Sequence, residues 1–217
     1  MEIRRTANAG VLLALDGVSM LLDGVSQAVE PYLATPPDIR SSLLTSPPDV
    51  LVFTHSHNDH YDPDFAEAYL DAADGVIIGP SDLCNGRNTE ANVNIGPITI
   101  TPIRSRHIGK YGEIEHFSYI ISGTRCIWFL GDASPLQWRQ DGRYPKPDVV
   151  IAPFAYAATA VAWERTRQMG ANAVVLVHMP ARNNDPFMLW NSVESVVANE
   201  SQVDVFIPQL GESVIFH

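Results

Sequence analysis

Apolar runs broken by turn residues divide this chain into short strands with a few helices between them. Val11 to Leu15 and Val18 to Leu22 flank Asp16-Gly17, and an Asp-Gly pair between two apolar runs is a strong hairpin signal. Asp23-Gly24 marks the next turn. The stretch from Met1 to Leu13 sets two arginines ahead of a short apolar run. Asp16-Gly17 breaks that run and no small-residue cleavage site follows, so it reads as the first strand rather than as a leader. Residues 30–49 are rich in proline and serine, with room for a short helix, and Asp49 to Thr54 holds a short apolar strand.

Asp62-Pro63 predicts a helix start, with Asp as N-cap and Pro at the first helical position. That helix runs over Phe65 to Ala73 and stops near Gly75. Strands follow at Val76–Ile78 and Ile98–Ile103, and a second hairpin turns at Ser122-Gly123 between Phe117–Ile121 and Cys126–Leu130. Val149–Ile151 and Ala173–Val177 read as buried strands around a helix near 157–169. A last helix near 186–198 precedes a final strand pair, Val203–Ile207 with Ser213–Phe216. Strands alternating with helices predict an α/β (α+β) fold of mixed sheets covered by helices. With 217 residues, no repeat and no linker, the expectation is one domain over 1–217.

Composition narrows the function classes. Hydrophobic residues make up 46% and charged residues 18%, which supports a packed core and argues against disorder. No stretch is long and apolar enough to span a bilayer. The formal net charge is −11 with no run of lysine or arginine, a balance that repels a phosphate backbone and excludes nucleic acid as the expected partner. The expected partner is a small-molecule substrate, and a homo-oligomer stays open. Cys84 and Cys126 alone do not make a disulfide framework, so the cytoplasm is the expected compartment.

Four strand ends carry the chemistry. The strand before His55, the strand before His107, Ile127 to Leu130 before Asp132, and Val174 to Val177 before His178 each run into a good metal ligand. Polar groups gathered where a rigid scaffold meets its loops are the usual seat of function. The densest piece is His55-Ser56-His57-Asn58-Asp59-His60. In extended backbone His55, His57 and Asp59 point one way, and His60 reaches a neighbouring position as the chain turns. A solvated histidine-rich turn is the bland alternative for any one of these residues, but not for the whole set. Three imidazoles and a carboxylate so close together suit zinc or iron, and less exclusively manganese. Seven candidates are too many for one ion. Two sets of three sharing a carboxylate absorb them all, and two ions roughly 3.5–4 Å apart can hold a hydroxide between them.

The series His55-x-His57-x-Asp59-His60, then His107, Asp132 and His178, resembles the full ligand set of the metallo-β-lactamase superfamily. The motif spans 55–178, and the terminal strands agree with that family's fold. The resemblance implies a four-layered αβ/βα sandwich of two mixed sheets, with metals at the edge where the sheets meet. It also implies that His55, His57 and His107 hold a first ion, that Asp59, His60 and His178 hold a second, and that Asp132 bridges. Zinc β-lactamases carry Cys or Ser where Asp132 stands, and flavo-diiron proteins carry Glu where His57 stands. The nucleases of the family and glyoxalase II carry additional domains or arms. What remains resembles the compact branch of ascorbate-6-phosphate lactonases and related phosphodiesterases, on Pro47 to His55 and His60-Tyr61-Asp62-Pro63.

The expected function is a dinuclear metallohydrolase that uses a metal-bridging hydroxide on a small anionic ester, lactone or phosphodiester. Its ions are expected to be zinc, with manganese or iron as alternatives. Asp59 and His116 are the acid–base candidates, His116 because it starts the strand after the His107 loop; an ordinary strand-entry histidine near the surface is the dull alternative. Arg106, Lys110 and Arg182, with Arg104, stand in ligand-bearing loops and are candidates for an anionic group. Cys84 and Cys126 are poor nucleophile candidates, Cys126 being better placed as a small core residue. Tyr111, Tyr156 and Trp190 are pocket candidates that core packing would equally explain. An iron oxidoreductase or oxygenase in the same cage and a thioester hydrolase are the rivals. A metal sensor or vestigial site fits poorly with a complete ligand set.

Overall fold

The structure, a computed structural model, describes residues 1–73, 75–83, 91–110, 113–138 and 141–217. Cys84 and Tyr111 lie outside the described residues. Two sheets face each other. The first has six strands in the order β13-β1-β2-β3-β4-β5, made of β1 (Glu2–Arg5), β2 (Val11–Leu15), β3 (Val18–Leu22), β4 (Val50–Val52), β5 (Val76–Ile78) and β13 (Ser213–Ile215). The second has seven in the order β12-β11-β10-β9-β8-β7-β6. These are β6 (Val93–Ile95), β7 (Ile98–Arg104), β8 (Phe117–Ser122), β9 (Cys126–Phe129), β10 (Val149–Pro153), β11 (Ala173–Val177) and β12 (Asp204–Phe206).

Period-two alternation explains the layers. Val11, Leu13, Met20, Leu22, Val50 and Val52 meet Ile121, Ile127, Phe129, Ile151 and Val175 in the core between the sheets. The alternate residues of the same strands face outward under helices. On the first sheet Leu21, Leu51 and Phe53 pack with α1 (Pro37–Thr45) and α2 (Pro63–Ala72). On the second, Trp128, Val150, Val174 and Leu176 pack with α3 (Ala160–Arg167) and α4 (Leu189–Val197). The strands β10 and β11 are buried at every position, and parallel strands covered on both faces read as continuous apolar runs for this reason. The result is the four-layered αβ/βα sandwich of two mixed sheets. No helix among the described residues is long and apolar enough to cross a membrane.

Local chemistry places most elements where the pattern predicts. Asp16 and Gly17 both have positive φ, at 52° and 80°, as a two-residue hairpin between β2 and β3 requires. The Asp62 side chain accepts from Phe65 N–H at 3.1 Å to cap α2. Two expectations need correction. A short strand, β6, precedes β7, although its three residues carry too little pattern to register. The C-terminal strands are not a pair: β12 runs parallel to β11 in the second sheet, whereas β13 crosses to pair antiparallel with β1 in the first. Both are short, and partner choice for a short strand depends on which sheet edge stands nearby.

This topology positions the site. β3 and β4 are parallel neighbours in the first sheet, and β9, β10 and β11 are parallel neighbours in the second. Their C-terminal ends open to one edge of the sandwich. Two backbone bonds cross that edge, from Phe117 N–H to Thr54 C=O and from His178 N–H to Asn8 C=O, each 2.9 Å.

Candidate metal centre

All seven ligand candidates converge at this edge. Nitrogen and oxygen atoms of His55, His57 and His107 lie within 4.8 Å of one another, as do those of Asp59, His60 and His178. Asp132 stands between the two groups. Its Oδ2 is 3.6 Å from His60 Nε2, 3.6 Å from His107 Nε2 and 3.7 Å from His178 Nε2.

The backbone that delivers these groups is shaped for the purpose. Gly131 has φ +50°, and a Cβ there would come within 2.5 Å of the Thr54 side chain. Only glycine allows β9 to turn its next residue, Asp132, back over the β4 end. His178 also has positive φ, 61°. For a bulky non-glycine residue this is a sparsely populated conformation that persists where packing over-determines it, often at functional sites.

Hydrogen bonds behind the rings decide which nitrogen faces the cage. The Thr54 hydroxyl donates to Asp23 Oδ2 at 2.6 Å and so accepts from His55 Nδ1–H at 2.9 Å, turning the Nε2 lone pair inward. His60 donates through Nδ1 to Asp23 Oδ2 at 2.8 Å, and His107 through Nδ1 to the Ile108 carbonyl at 2.7 Å. A ligand histidine fixed by an acceptor on its far nitrogen is the usual support of a metal site. His55 Nε2 and His57 Nδ1 then face each other at 3.0 Å.

These donors fit divalent ions. His60 Nε2 and Asp132 Oδ1 are buried and have no hydrogen-bond partner among the described residues, and His178 Nε2 has Asp59 Oδ2 beside it at 3.1 Å. Each orphaned polar atom costs about 1–3 kcal/mol. Several aimed at one spot are explained by cations that satisfy them together. A further grouping, Asp23 with His55 and His60, is also compact, but Asp23 is engaged by Thr54 N–H at 2.7 Å, the Thr54 hydroxyl and His60. It is a support and not a ligand.

Electrostatics within the cluster run in opposite directions. Burial and the neighbouring imidazoles of His60 and His116 hold His55 well below its ordinary range. Burial also opposes charge on His60, yet the Asp132 and Asp23 carboxylates outweigh it and hold His60 well above that range. Asp132 lies well below the usual carboxylate range because the His178 and His60 charges overcome its burial.

The remaining candidates are distributed unevenly. His116 is buried, accepts from Asp132 N–H through Nε2 at 3.0 Å, and bonds Ser105 Oγ through Nδ1 at 2.7 Å. Burial pushes its pKa down to about 3. It lies behind Asp132, with both nitrogens engaged inside the protein. Arg106 and Lys110 are exposed, and Arg106 lines a surface concavity of about 370 Å3 together with His107, Ser134 and Leu136. Arg182 is drawn away: it pairs with Glu194 at 2.7 Å and stacks 3.7 Å over Trp190. Arg104 lies 3.9 Å from Glu115. Tyr156 and Trp190 are core residues, bonded to the carbonyls of Ala133 and Pro180, and Cys126 packs against the helix-covered core.

Sequence reasoning overlooked Asp23, Thr54, Ser105 and Ser118. Asp23 served only as a turn marker. The rule that singled out His55, a polar residue following an apolar strand, applies to it equally.

No family model matches the sequence, and no curated protein matches it. Solved structures do match in fold. An isothiocyanate hydrolase from Delia radicum gut bacteria superposes with a TM-score of 0.72 at 19% identity, over 100% of this chain and 99% of its own. The metallo-β-lactamase fold protein YhfI from Bacillus subtilis does so with a TM-score of 0.62 at 16% identity, over 98% of each chain. CmlA, a diiron β-hydroxylase from Streptomyces venezuelae, gives 0.60 at 12% identity, over 99% of this chain and 54% of its own. The chain has the metallo-β-lactamase fold.

Proposed function

We propose that this protein is a dinuclear metal-dependent hydrolase of small anionic esters, lactones or phosphodiesters. The observation that carries the proposal is the position of Asp132, whose Oδ2 stands 3.6–3.7 Å from one imidazole of the first trio and two of the second. His55, His57 and His107 would hold one ion, Asp59, His60 and His178 the other, and Asp132 both. Imidazole and carboxylate donors suit zinc, with manganese or iron as alternatives. When bound, such a pair supplies Lewis acidity and water activated at neutral pH.

The chain's own residues do the rest. Asp59, half-buried at the rim of the second trio, is the carboxylate placed to take a proton from an attacking water. His116 stays neutral and bonded to Asp132 N–H, so its work is positioning rather than proton exchange with substrate. Arg106 and Lys110 border the His107 side and would receive the anionic part of the substrate, whereas Arg182 is engaged by Glu194 and Trp190.

The test is proton release by metal-reconstituted protein in a pH-stat, across lactones, esters, thioesters and phosphodiesters. Isothiocyanate loss, read by absorbance, is added because one fold relative hydrolyses that group. Release on one class that disappears with chelator is the expected outcome. Silence across the panel would overturn the hydrolase proposal. One observation favours a second reading: a diiron β-hydroxylase shares the fold over nearly the whole chain. Iron-loaded protein that consumes oxygen while hydrolysing nothing would establish that alternative.

A further inference from the structure

Behind Asp132 runs a chain of hydrogen bonds that begins and ends on one three-residue segment of backbone. Asp132 N–H donates to His116 Nε2 at 3.0 Å, and His116 Nδ1 lies 2.7 Å from Ser105 Oγ. Ser105 Oγ lies 3.0 Å from Ser118 Oγ, and the Ser118 hydroxyl donates to the Leu130 carbonyl at 2.8 Å. Every member is buried: His116 is 1% exposed, Ser118 0% and Ser105 8%.

The ends force the direction. A backbone N–H can only donate and a carbonyl can only accept. Ser118 spends its proton on Leu130, so its oxygen must accept from Ser105. The Ser105 proton is then committed, so Ser105 must accept from His116 Nδ1–H. This leaves Nε2 unprotonated to receive Asp132 N–H, and no alternative arrangement satisfies all four bonds.

We propose that His116, Ser105 and Ser118 form a one-way positioning relay that clamps Leu130-Gly131-Asp132 and sets the shared carboxylate between the two ligand trios. The segment needs such a clamp because Gly131, with φ +50°, is the residue with most backbone freedom in it. The relay holds the amide of Asp132 on one side of that glycine and the carbonyl of Leu130 on the other. His116 directly precedes β8, the neighbour of β9, Ser118 is the second residue of that strand, and Ser105 directly follows β7. The strand beside β9 and the one beyond it thus also aim Asp132. His116 acts through Asp132 and touches no substrate. The inference rests on the proposal that Asp132 is a shared ligand.

Two measurements test it. In wild-type protein, long-range 15N–1H NMR of the histidine rings should show His116 as the neutral Nδ1–H tautomer, with and without zinc. An Nε2–H tautomer would overturn the relay. Cobalt(II) titration followed by visible absorption then separates the first and second binding steps. H116F should raise the cobalt concentration needed for the second step by about 10–100-fold, the cost usual for losing a support of a ligand. H116Q keeps a side-chain carbonyl able to accept from Asp132 N–H and should stay within about threefold. Equal loss in H116F and H116Q would assign the effect to packing and overturn the proposal. Should H116F fail to fold, S118A leaves the ring and its bonds to Asp132 and Ser105 in place and removes the Ser118 links to Ser105 and to Leu130; a second step unchanged in S118A would overturn the relay as well. D132A separates the two layers of argument. Loss of the second step in D132A, with H116F and S118A unchanged, sinks the relay alone, whereas two normal steps in D132A would sink the shared-ligand proposal beneath it.

Discussion

The two halves of the cage are built from the same loop yet are electrostatic opposites. His55 and His60 are five positions apart and both fully buried, but burial lowers the first while flanking carboxylates raise the second. Behind His55 stands a hydroxyl and behind His107 a carbonyl; behind His60 stands the Asp23 carboxylate. Burial penalises charge at both sites, and charges within a few ångströms decide the sign. The first trio offers an ion three imidazoles and no carboxylate of its own, and would leave more of its charge for polarising a substrate. The second, with Asp59 and Asp23 beside the shared Asp132, would hold its ion more firmly.

The largest expected effect removes what the halves share. D132A should lose at least the second ion and lower activity by about a hundredfold or more, beyond the usual cost of losing an outer support. Elemental analysis after gel filtration reads the metal content, and an unchanged content would contradict the bridging role.

The supports come next, and they should differ. D23A takes the acceptor from His60 and two bonds from Thr54. Second-ion affinity should fall about 10–100-fold, with a stability loss of about 1–3 kcal/mol for the stranded Thr54 amide. T54V removes the neutral hydroxyl behind His55, and with it one of the donors to Asp23 while leaving that carboxylate on His60, and should weaken the first ion by about tenfold or less. Isothermal titration of both variants would reverse the comparison if T54V proved the more damaging.

A pH series sharpens the contrast further. His60 sits above its ordinary range, so a proton competes with the second ion to higher pH than at a free imidazole. Second-ion affinity should therefore rise by up to about tenfold per pH unit between pH 6 and 8, one proton leaving per ion bound. His55 sits below its range and is already deprotonated there, so first-ion affinity should depend on pH less steeply. Zinc titration against a competing chelator at three pH values reads both slopes.

The smallest effects concern the rim. R106A should raise KM severalfold on an anionic substrate and leave kcat nearly unchanged. R182A should change neither, because its guanidinium is held by Glu194 and Trp190; the exposed pair itself contributes no more than about 1 kcal/mol to stability. Steady-state kinetics of the two variants side by side would expose a wrong assignment.

Much of this was legible in the chain. The Asp16-Gly17 hairpin, the Asp62-Pro63 helix start and the buried runs of β10 and β11 follow from local rules and appear where those rules put them. The seven candidate ligands stand together, with Asp132 central. What escaped notice carries no local signature. Ser118 is an ordinary strand residue and Ser105 an ordinary residue after a strand until β7 and β8 pair and bring them beside His116. The basic residues looked alike in sequence, and only packing sent Arg182 to Trp190 while leaving Arg106 at the concavity.

By itself, the sequence determined the donor types, their order and the strand ends that carry them, because these depend on residue identity and on turn and pleat chemistry acting over a few positions. Tertiary structure alone decided which nitrogen of His55, His60 and His107 faces inward, which histidines are pushed below their ordinary range and which above it, and that His116 lies behind Asp132 and not before a substrate. It also sent β12 and β13 to different sheets. The reason is common to all of these. Hydrogen-bond direction and pKa are set by groups a few ångströms away, and here those groups come from two sheets that meet only when the chain is folded.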